Sequence, residues 1–445
     1  MASAAEQLAA NMNFSSFAKA KELQQRILFT LVVLIVYRIG TYIPLPGINP
    51  EQYAAAFERQ SQGIVGMINV LGGGAVERIA IFALNIMPYI SASIIMQLMA
   101  ATIPTLEKLR KEGGEAGRKQ INQYTRYLTV VLAAGQAFGL SIGFVSPDPT
   151  SGATIATDPG LFFQMQMVVT LVGGTMLLLW LGEQITARGI GNGVSLIIFA
   201  GIIAEMPGII IGGFAQAASD ASYSGTFLAT GLLVLVGLVI VVFIERSQRR
   251  LLVQYPKRQQ GNRMVGGESS FLPLKLNTAG VIPPIFASSL LFLPTTALQF
   301  QQQSGPEWLN EIVLFLQPGS IWFLAFYGLM IVFFCFFYTS IMFNPEDRAE
   351  DLRKYGGFLP GIRPGARTAE YLDYVLSRLT FIGAMYLTLI CLVPMGLSPQ
   401  AGLGGTSLLI VVSVTMDTVS HIQSHLLAHQ YEGLIKKSKL RGRKR

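Results

Sequence analysis

The sequence predicts an all-α integral membrane protein with ten transmembrane helices, arranged as two inverted five-helix halves. Composition is the first reason: of 445 residues, 51% are hydrophobic and only 13% are charged, where soluble proteins carry about 25% charged residues. The mean hydropathy is +0.49. The second reason is a series of apolar stretches near the length of about 20 residues that a helix needs to cross a bilayer. The third is an uneven distribution of basic residues among the loops.

Ten such stretches follow one another along the chain, with edges set by hydropathy alone. They lie at residues 27–44, 79–103, 124–146, 161–181, 190–211, 226–244, 279–299, 319–342, 375–396 and 404–426. The first follows a polar, mildly basic leader and has no small-residue cleavage site. We therefore expect it to remain as a span rather than act as a signal peptide.

Basic residues concentrate on one side of these stretches. All but three of the 33 Lys and Arg residues lie in the termini or in the loops on the same side, and the exceptions are Arg38, Arg59 and Arg78. Cytoplasmic loops are the ones enriched in Lys and Arg, so the sequence predicts that both termini are cytoplasmic. The two longest loops on that side, 245–278 and 344–374, are either docking surfaces or devices that only fix the orientation.

The second and seventh stretches contain prolines at matching places of the two halves, which we assign to residues 1–213 and 214–445. Pro88 lies in the second stretch, and Pro283 and Pro284 lie in the seventh. Five spans per half make a duplicated half cross in the opposite sense, and interrupted helices in such inverted halves point to a central pathway. The alternative is that these prolines serve packing only, since proline is common in membrane helices.

A short apolar segment precedes the second stretch. Residues 63–74 are too few to cross a bilayer and end in three glycines. This pattern favours a re-entrant or pore-capping helix on flexible joints. An ordinary external amphipathic helix fits the same pattern equally well.

Several kinds of chemistry lack the residues that they require. Cys335 and Cys391 lie within apolar stretches and give no disulfide framework or CxxC motif, and the chain has no Gly-Lys dipeptide for a nucleotide-binding loop. His421, His425 and His429 lie on one face of the last helix, but adjacent turns supply at most two well-placed metal ligands. We expect a solvated helix end, no metal and no cofactor.

Polar groups at membrane depth are functional candidates because their burial in lipid is costly. Arg38 and Glu205 lie near the ends of the first and fifth spans, and Asp417 lies in the tenth. A secondary small-solute transporter with inverted repeats is the alternative function, although ion coupling usually needs more buried carboxylates. An intramembrane enzyme is a further alternative, but it would need a nucleophile and a base at membrane depth, and Asp417 has no second aspartate deep in another span.

Seven distinctive blocks are spread nearly end to end along the sequence. In chain order they are RIG at 38–40 with IPLPGI at 43–48, IFALNIMPYISASIIMQL at 81–98, KEGGEAGRKQINQYTRY at 111–127, LGEQITARGIGNGVSLIIFAGI at 181–202, NTAGVIPPIFASS at 277–289, GGFLPGIRPG at 356–365, and GGTSLLIVV at 404–412. In these blocks the chain resembles the SecY family of bacterial protein-translocation channels.

The resemblance implies an hourglass channel around a central pore, sealed at rest by an apolar pore ring and an outer plug. The ring positions are Ile86, Ile90, Val194, Ile198, Ile285 and Ile410. The plug is Gly63, Ile64, Val65, Gly66, Met67, Ile68, Asn69, Val70, Leu71, Gly72, Gly73 and Gly74. The second and seventh spans would form a lateral gate, with Ser91 and Ser289 as candidate gate residues.

The resemblance also implies partners. These are SecE and SecG as small membrane subunits, the SecA ATPase as motor, the ribosome, more loosely SecDF and an insertase, and unfolded preproteins with signal sequences as substrates. The positions that match docking sites for SecA or the ribosome are Arg246, Arg249, Arg250, Lys257, Arg258 and Arg363. Basic loops suit both partners, because ribosomal RNA and an acidic protein surface each attract Lys and Arg.

Three positions depart from the commonest family pattern. Asn85 replaces a usual glycine, Leu71 stands where an aromatic residue is frequent, and Pro256 interrupts a usual Tyr-Ala-Lys-Arg run. We expect them to affect the tightness of sealing and the shape of the loop. The sequence thus predicts a protein-conducting channel of the bacterial inner membrane that translocates unfolded polypeptides, releases membrane segments laterally into the bilayer and has no catalytic residues.

Overall fold

The computed structural model describes residues 21–60, 64–145, 154–219, 221–256, 258–260, 263–265, 269–299, 320–397 and 405–442. Helices dominate these ranges. In chain order the elements are α1 (Lys21–Gly40), α2 (Pro50–Gln60), α3 (Ile64–Leu71), α4 (Met87–Thr102), α5 (Pro104–Glu112), α6 (Gly114–Val145), α7 (Leu161–Arg188), α8 (Gly193–Ser219), α9 (Ala221–Arg246), β1 (Gln248–Gln254), β2 (Arg258–Gln260), β3 (Arg263–Val265), β4 (Ser269–Lys275), α10 (Ile282–Gln299), α11 (Ile321–Met342), α12 (Pro345–Lys354), α13 (Ala366–Leu397) and α14 (Gly405–Gly442).

Each of the ten predicted stretches contains a helix. Among the described residues, eight helices are long and apolar enough to cross a membrane on their own, namely α1, α6, α7, α8, α9, α11, α13 and α14. A ninth candidate is the pair α4 and α5, which bends by 96° at its break. The remaining helix, α10, has a shorter apolar part, Ile282–Leu291. The chain is therefore a multi-pass helical membrane protein.

The ends of some helices differ from those that hydropathy predicts. The first was expected to run to residue 44 but ends at Gly40, where the backbone turns and Phe82 packs directly against the glycine. At the other end of the chain, α14 continues to Gly442, well beyond the apolar part. Hydropathy finds the lipid-facing segment, whereas backbone hydrogen bonds decide where a helix stops.

The prolines of the second and seventh stretches start their helices rather than interrupt them. Pro88 is the second residue of α4, and Pro283 and Pro284 are the second and third residues of α10. The first N–H groups of a helix have no partner within it, so proline removes nothing there. The residues before α4 are consequently not helical: the chain runs through turns from Gly72 to Ile86.

The contacts divide the chain into two compact units. The first comprises Met1–Ala92, Thr125–Ile210 and Ile410–Arg445, and the second comprises Ser93–Tyr124 and Ile211–Leu409. In the first unit, Phe163, Met167 and Leu171 of α7 are buried in one cluster with alanines of α6 and with Leu45 from the turn after α1. The division into inverted halves at residue 213 stays a prediction.

In the second unit, the two long basic loops fold together. Strands β1 and β4 pair antiparallel, from Gln248 opposite Lys275 to Gln254 opposite Ser269. Gln254 and Phe358 exchange two backbone hydrogen bonds of 2.9 and 3.0 Å, which join the first loop to the second. Leucines of β1, β4 and α13 form a buried cluster beneath this ribbon.

Candidate functional site

The segment 64–71 forms the short helix that the glycine-terminated pattern predicted. It ends in a Schellman motif: the Gly73 N–H donates to Val70 O at 3.2 Å, and the Gly74 N–H donates to Asn69 O at 2.9 Å. Gly73 and Gly74 adopt φ angles of 64° and 76°, and the left-handed residue that closes this motif is usually glycine. Gly63, the first residue of the predicted plug, lies outside the described residues.

Side chains from outside the helix satisfy the carbonyl groups at this end of α3. Asn85 Nδ2 donates to Leu71 O at 2.8 Å, and Tyr37 Oη donates to Gly72 O at 3.2 Å. Arg38 Nη1 and Arg78 Nη1 both donate to Gly73 O, the latter at 3.2 Å. The last four carbonyls of a helix lack partners within it, so these donors fasten the helix end to its surroundings.

The two arginines share one carboxylate and one aromatic ring. Glu205 Oε1 lies 3.6 Å from Arg38 Nη2 and 3.5 Å from Arg78 Nη2, and its side chain is only 16% exposed. The guanidinium carbons lie 4.9 and 4.4 Å from the centre of the Tyr42 ring. We call Arg38, Tyr42, Arg78 and Glu205 the outer charge cluster. Its cations face the negative end of the α3 dipole, which is the favourable arrangement.

Helix α8 approaches the end of α3 at a glycine. A Cβ atom placed on Gly201 would lie 2.7 Å from Leu71 O, 2.9 Å from Tyr37 Oη and 3.1 Å from Gly73 N. No side chain fits there without displacing the backbone of the segment. The close packing and the hydrogen bonds together hold α3 in one place in the first unit.

The turns after α3 are anchored by α2, which lies outside the spans. Tyr53 Oη donates to Val76 O at 2.5 Å. Burial, with a smaller contribution from the Glu77 carboxylate, raises the pKa of the Tyr53 phenol, so the hydroxyl remains a donor. The Asn69 amide fixes the same turn, because its Oδ1 accepts from the Glu77 N–H at 2.9 Å.

The sequence predicts part of this site. It marks Arg38 and Glu205 separately as polar groups near the ends of spans, but it indicates neither their pairing nor the contacts of Tyr37, Tyr42 and Gly201. One signal was present: Arg38 and Arg78 are two of the three basic residues that lie away from the basic side. A basic residue on the side opposite most of the others does not help to fix the orientation in the membrane, which indicates a local role.

The predicted ring residues are mostly buried. Ile86, Ile90, Ile198 and Ile410 are buried, and Val194 and Ile285 are half-buried. The Ile90 N–H donates to Ile86 O at 3.1 Å, so these two lie one helical turn apart as the spacing indicated. Five of the six belong to the first unit and Ile285 to the second, and their arrangement as a ring stays a prediction.

The candidate gate serines are also buried. Ser91 lies in α4, and Ser289 lies in α10. Ser289 Oγ has no hydrogen-bond partner among the described residues. A buried hydroxyl without a partner is costly, and its role at a gate stays a prediction.

The predicted docking residues lie on the folded loops of the second unit. Arg246 ends α9, Arg249 and Arg250 are exposed on β1, and Arg363 is exposed in the turn before α13. The bonds between Gln254 and Phe358 put the two loops in one body. Arg258 lies in β2, whereas Lys257 lies outside the described residues.

Two of the three histidines of α14, His421 and His425, are exposed, and the side chain of His429 lies outside the described part of the chain. His421 Nε2 lies 4.0 Å from Asp417 Oδ2, and both side chains face outward. Throughout the described part of the chain, no three His, Cys, Asp or Glu residues are grouped as metal ligands.

Fold and site together define a polytopic helical membrane protein in which a short apolar helix is fastened beside the spans by its carbonyl end. Comparison with known proteins identifies the class. A family model described as SecY matches residues 80–419. The chain is 51% identical over 426 residues to the protein translocase subunit SecY of Pseudomonas aeruginosa, covering 95% of each. It is 49% identical to that of Rickettsia bellii, covering 97% of this chain and 100% of the relative.

Solved structures share the fold at low identity. A structure described as a protein conducting channel matches with a TM-score of 0.64 at 17% identity, covering 90% of this chain and 92% of that one. A SecY structure whose plug domain is described as stabilising the closed state matches at 0.63 and 16%, with the same coverage. Sec61 in a canine ribosome-channel complex matches at 0.59 and 16%, again with the same coverage.

The chain belongs to the SecY family. It is a subunit of a protein translocation channel and not an enzyme.

Proposed function

We propose that this chain forms the channel through which unfolded secretory polypeptides cross the bacterial inner membrane and from which membrane segments pass sideways into lipid. The observation that carries the proposal is the 51% identity over 95% of the chain to a bacterial protein translocase subunit. Both termini are cytoplasmic in this proposal, because the termini and the loops on their side hold all but three of the basic residues.

The resting channel is closed by two devices in series. Ile86, Ile90, Val194, Ile198, Ile285 and Ile410 form the apolar ring. Branched apolar side chains exclude water and ions from a narrow passage and adapt to a chain passing through it. The plug, centred on α3, seals the outer side, and the fastening of its carbonyl end to Tyr37, Arg38, Arg78 and Asn85 supports a single resting position.

The work of translocation comes from partners. The exposed arginines of the joined loops, Arg246, Arg249, Arg250 and Arg363, with Lys257 and Arg258, form the docking surface for SecA or the ribosome. A ribosome-bound relative with the same fold supports the second partner. SecE and SecG complete the membrane complex, and SecDF and an insertase associate more loosely.

Two structural features weigh against a small-solute transporter. The Glu205 carboxylate is already shared by two arginines, and Asp417 is exposed on α14. Neither is an unpaired carboxylate at the centre of the spans, which ion coupling requires.

Photo-crosslinking tests the proposal directly. A photoreactive side chain is placed singly at Ile86, Ile285 or Ile410 in membranes that contain a stalled secretory chain. We expect capture at all three positions. Val239 of α9, which is 66% exposed, serves as the matched lipid-facing control and should capture none. Silence at all three positions while export proceeds would refute the ring.

A further inference from the structure

We propose that the Asn85 side-chain amide is a positioning residue that holds the plug closed and ties its release to movement of the second span. This inference rests on the proposed channel function. It assigns to one side chain a role that the apolar ring and the outer charge cluster do not fill.

A side-chain hydrogen bond joins the turn at Asn85 to the end of α3. Asn85 Nδ2 donates to Leu71 O at 2.8 Å across 14 residues of chain. Leu71 is the last residue of α3, so its carbonyl has no partner further along the helix. Asn85 is 2% exposed, so the amide makes this hydrogen bond away from bulk water. The closed position therefore depends more strongly on this donor than it would on a solvent-exposed one.

The oxygen of the Asn85 amide indicates that the role of this side chain is to donate a hydrogen bond. Asn85 Oδ1 is buried and has no hydrogen-bond partner among the described residues. Such an atom lowers stability, and a glycine at this position would avoid that cost. The backbone would accept glycine readily, because φ at Asn85 is 50°, in the left-handed region. The amide is retained against a local cost, and its one hydrogen bond goes to the plug.

The position of Asn85 couples the plug to the second span. Its N–H donates to Phe82 O at 2.8 Å, which fixes the turn, and the next residue is Ile86, followed at once by α4. Tyr37 and Arg38, by contrast, hold the plug from α1. A displacement of the start of α4 therefore withdraws the amide from Leu71 O while Tyr37, Arg38 and Arg78 still contact the plug. Movement at the second span thus weakens the closed position and favours release of the plug.

Two substitutions separate donation from space filling. Asn85→Gly keeps the left-handed backbone and removes the amide. Asn85→Asp keeps the shape and the tolerance of positive φ, and at alkaline pH, where the carboxyl is ionised despite its burial, it cannot donate. Asn344→Gly is the matched control, because Asn344 caps the first turn of α12 through the Glu346 N–H and belongs to the second unit, whereas the plug belongs to the first.

The first readout is the resting ion conductance of the purified channel complex in planar bilayers. Loss of a buried hydrogen bond that leaves its acceptor unsatisfied changes an equilibrium by about tenfold. We expect both Asn85 variants to raise the open fraction of the resting channel by about that factor, and Asn344→Gly to leave it unchanged. An effect of Asn85→Gly alone would assign the role to side-chain volume and overturn the proposal, as would no effect of either.

The second readout is export of a preprotein with an intact signal sequence and of one with a weakened signal. Both Asn85 variants should export the weakened preprotein better than the unsubstituted chain does, with export of the intact one retained. Equal discrimination by all variants would contradict the coupling to the second span. Absence of export by the unsubstituted chain would instead refute the channel function, and the conductance would still decide the role of the amide.

Discussion

Two charge clusters in the first unit are built in opposite ways. In the outer charge cluster, Glu205 lies 3.5 and 3.6 Å from two arginines whose hydrogen bonds go to the backbone just after α3. Between α6 and α7, the Arg126 guanidinium instead contacts both oxygens of the Glu183 carboxylate: Nη2 lies 2.6 and 2.7 Å from them. By distance alone, the second pair is the tighter.

Burial reverses that ranking. The Glu205 side chain is 16% exposed, whereas Arg126 and Glu183 are 47% and 39% exposed. An exposed pair exchanges solvation for a modest attraction. Removing a buried partner leaves an uncompensated charge. The comparison teaches that the looser cluster contributes more to the folded state than the shorter ion pair.

The largest expected effect follows from neutralising the shared carboxylate. Glu205→Gln leaves two guanidinium groups close together with no counter-charge. Because both arginines are partly exposed, we expect a loss of about 2 kcal/mol in the free energy of unfolding, less than for a fully buried pair. Heat-induced unfolding in detergent, followed by circular dichroism, measures it. Glu183→Gln is the matched control, and an equal or larger shift in that variant would reverse the ranking.

A smaller effect is expected from the aromatic ring beneath the two arginines. Tyr42→Leu removes both cation–π contacts, which at a partly exposed site contribute about 1 kcal/mol together. Tyr42→Phe keeps the ring face and loses only the hydrogen bond from Arg38 Nη2 to Tyr42 Oη. The same unfolding measurement should place Tyr42→Phe between Tyr42→Leu and the unsubstituted chain. If both variants unfold at one temperature, the ring face contributes nothing.

The sequence predicted the helices and the short glycine-terminated helix α3 because both depend on local patterns. Hydropathy marks a span, and Gly72-Gly73-Gly74 marks a helix end whatever surrounds it. The prolines were misread as interruptions, because the same residue is harmless in a first turn and disruptive in a helix interior. The start of α4 depends on the turns before Met87, and the hydrophobic periodicity of the sequence does not reveal those turns.

The pairing within the outer charge cluster was beyond the sequence for a different reason. Arg38, Arg78 and Glu205 are brought together by long-range packing, including the approach of Gly201 to the end of α3. Asn85 was recognised as a departure that affects sealing, but the acceptor, Leu71 O, is a backbone atom that every sequence has. Residue types reveal candidate donors, and only the fold reveals which carbonyl group they reach.

The smallest effect should come from the shortest ion pair. Arg126→Gln removes the ion pair with Glu183. We expect the free energy of unfolding to fall by about 0.5 kcal/mol or less, because exposed ion pairs contribute little. Salt distinguishes the two clusters further. At about 1 M salt the screening length falls to about 3 Å, so the difference between Arg126→Gln and the unsubstituted chain should vanish, whereas the effect of Glu205→Gln should persist. A salt-insensitive loss above about 1 kcal/mol for Arg126→Gln would show that hydrogen-bond geometry outweighs burial in this chain.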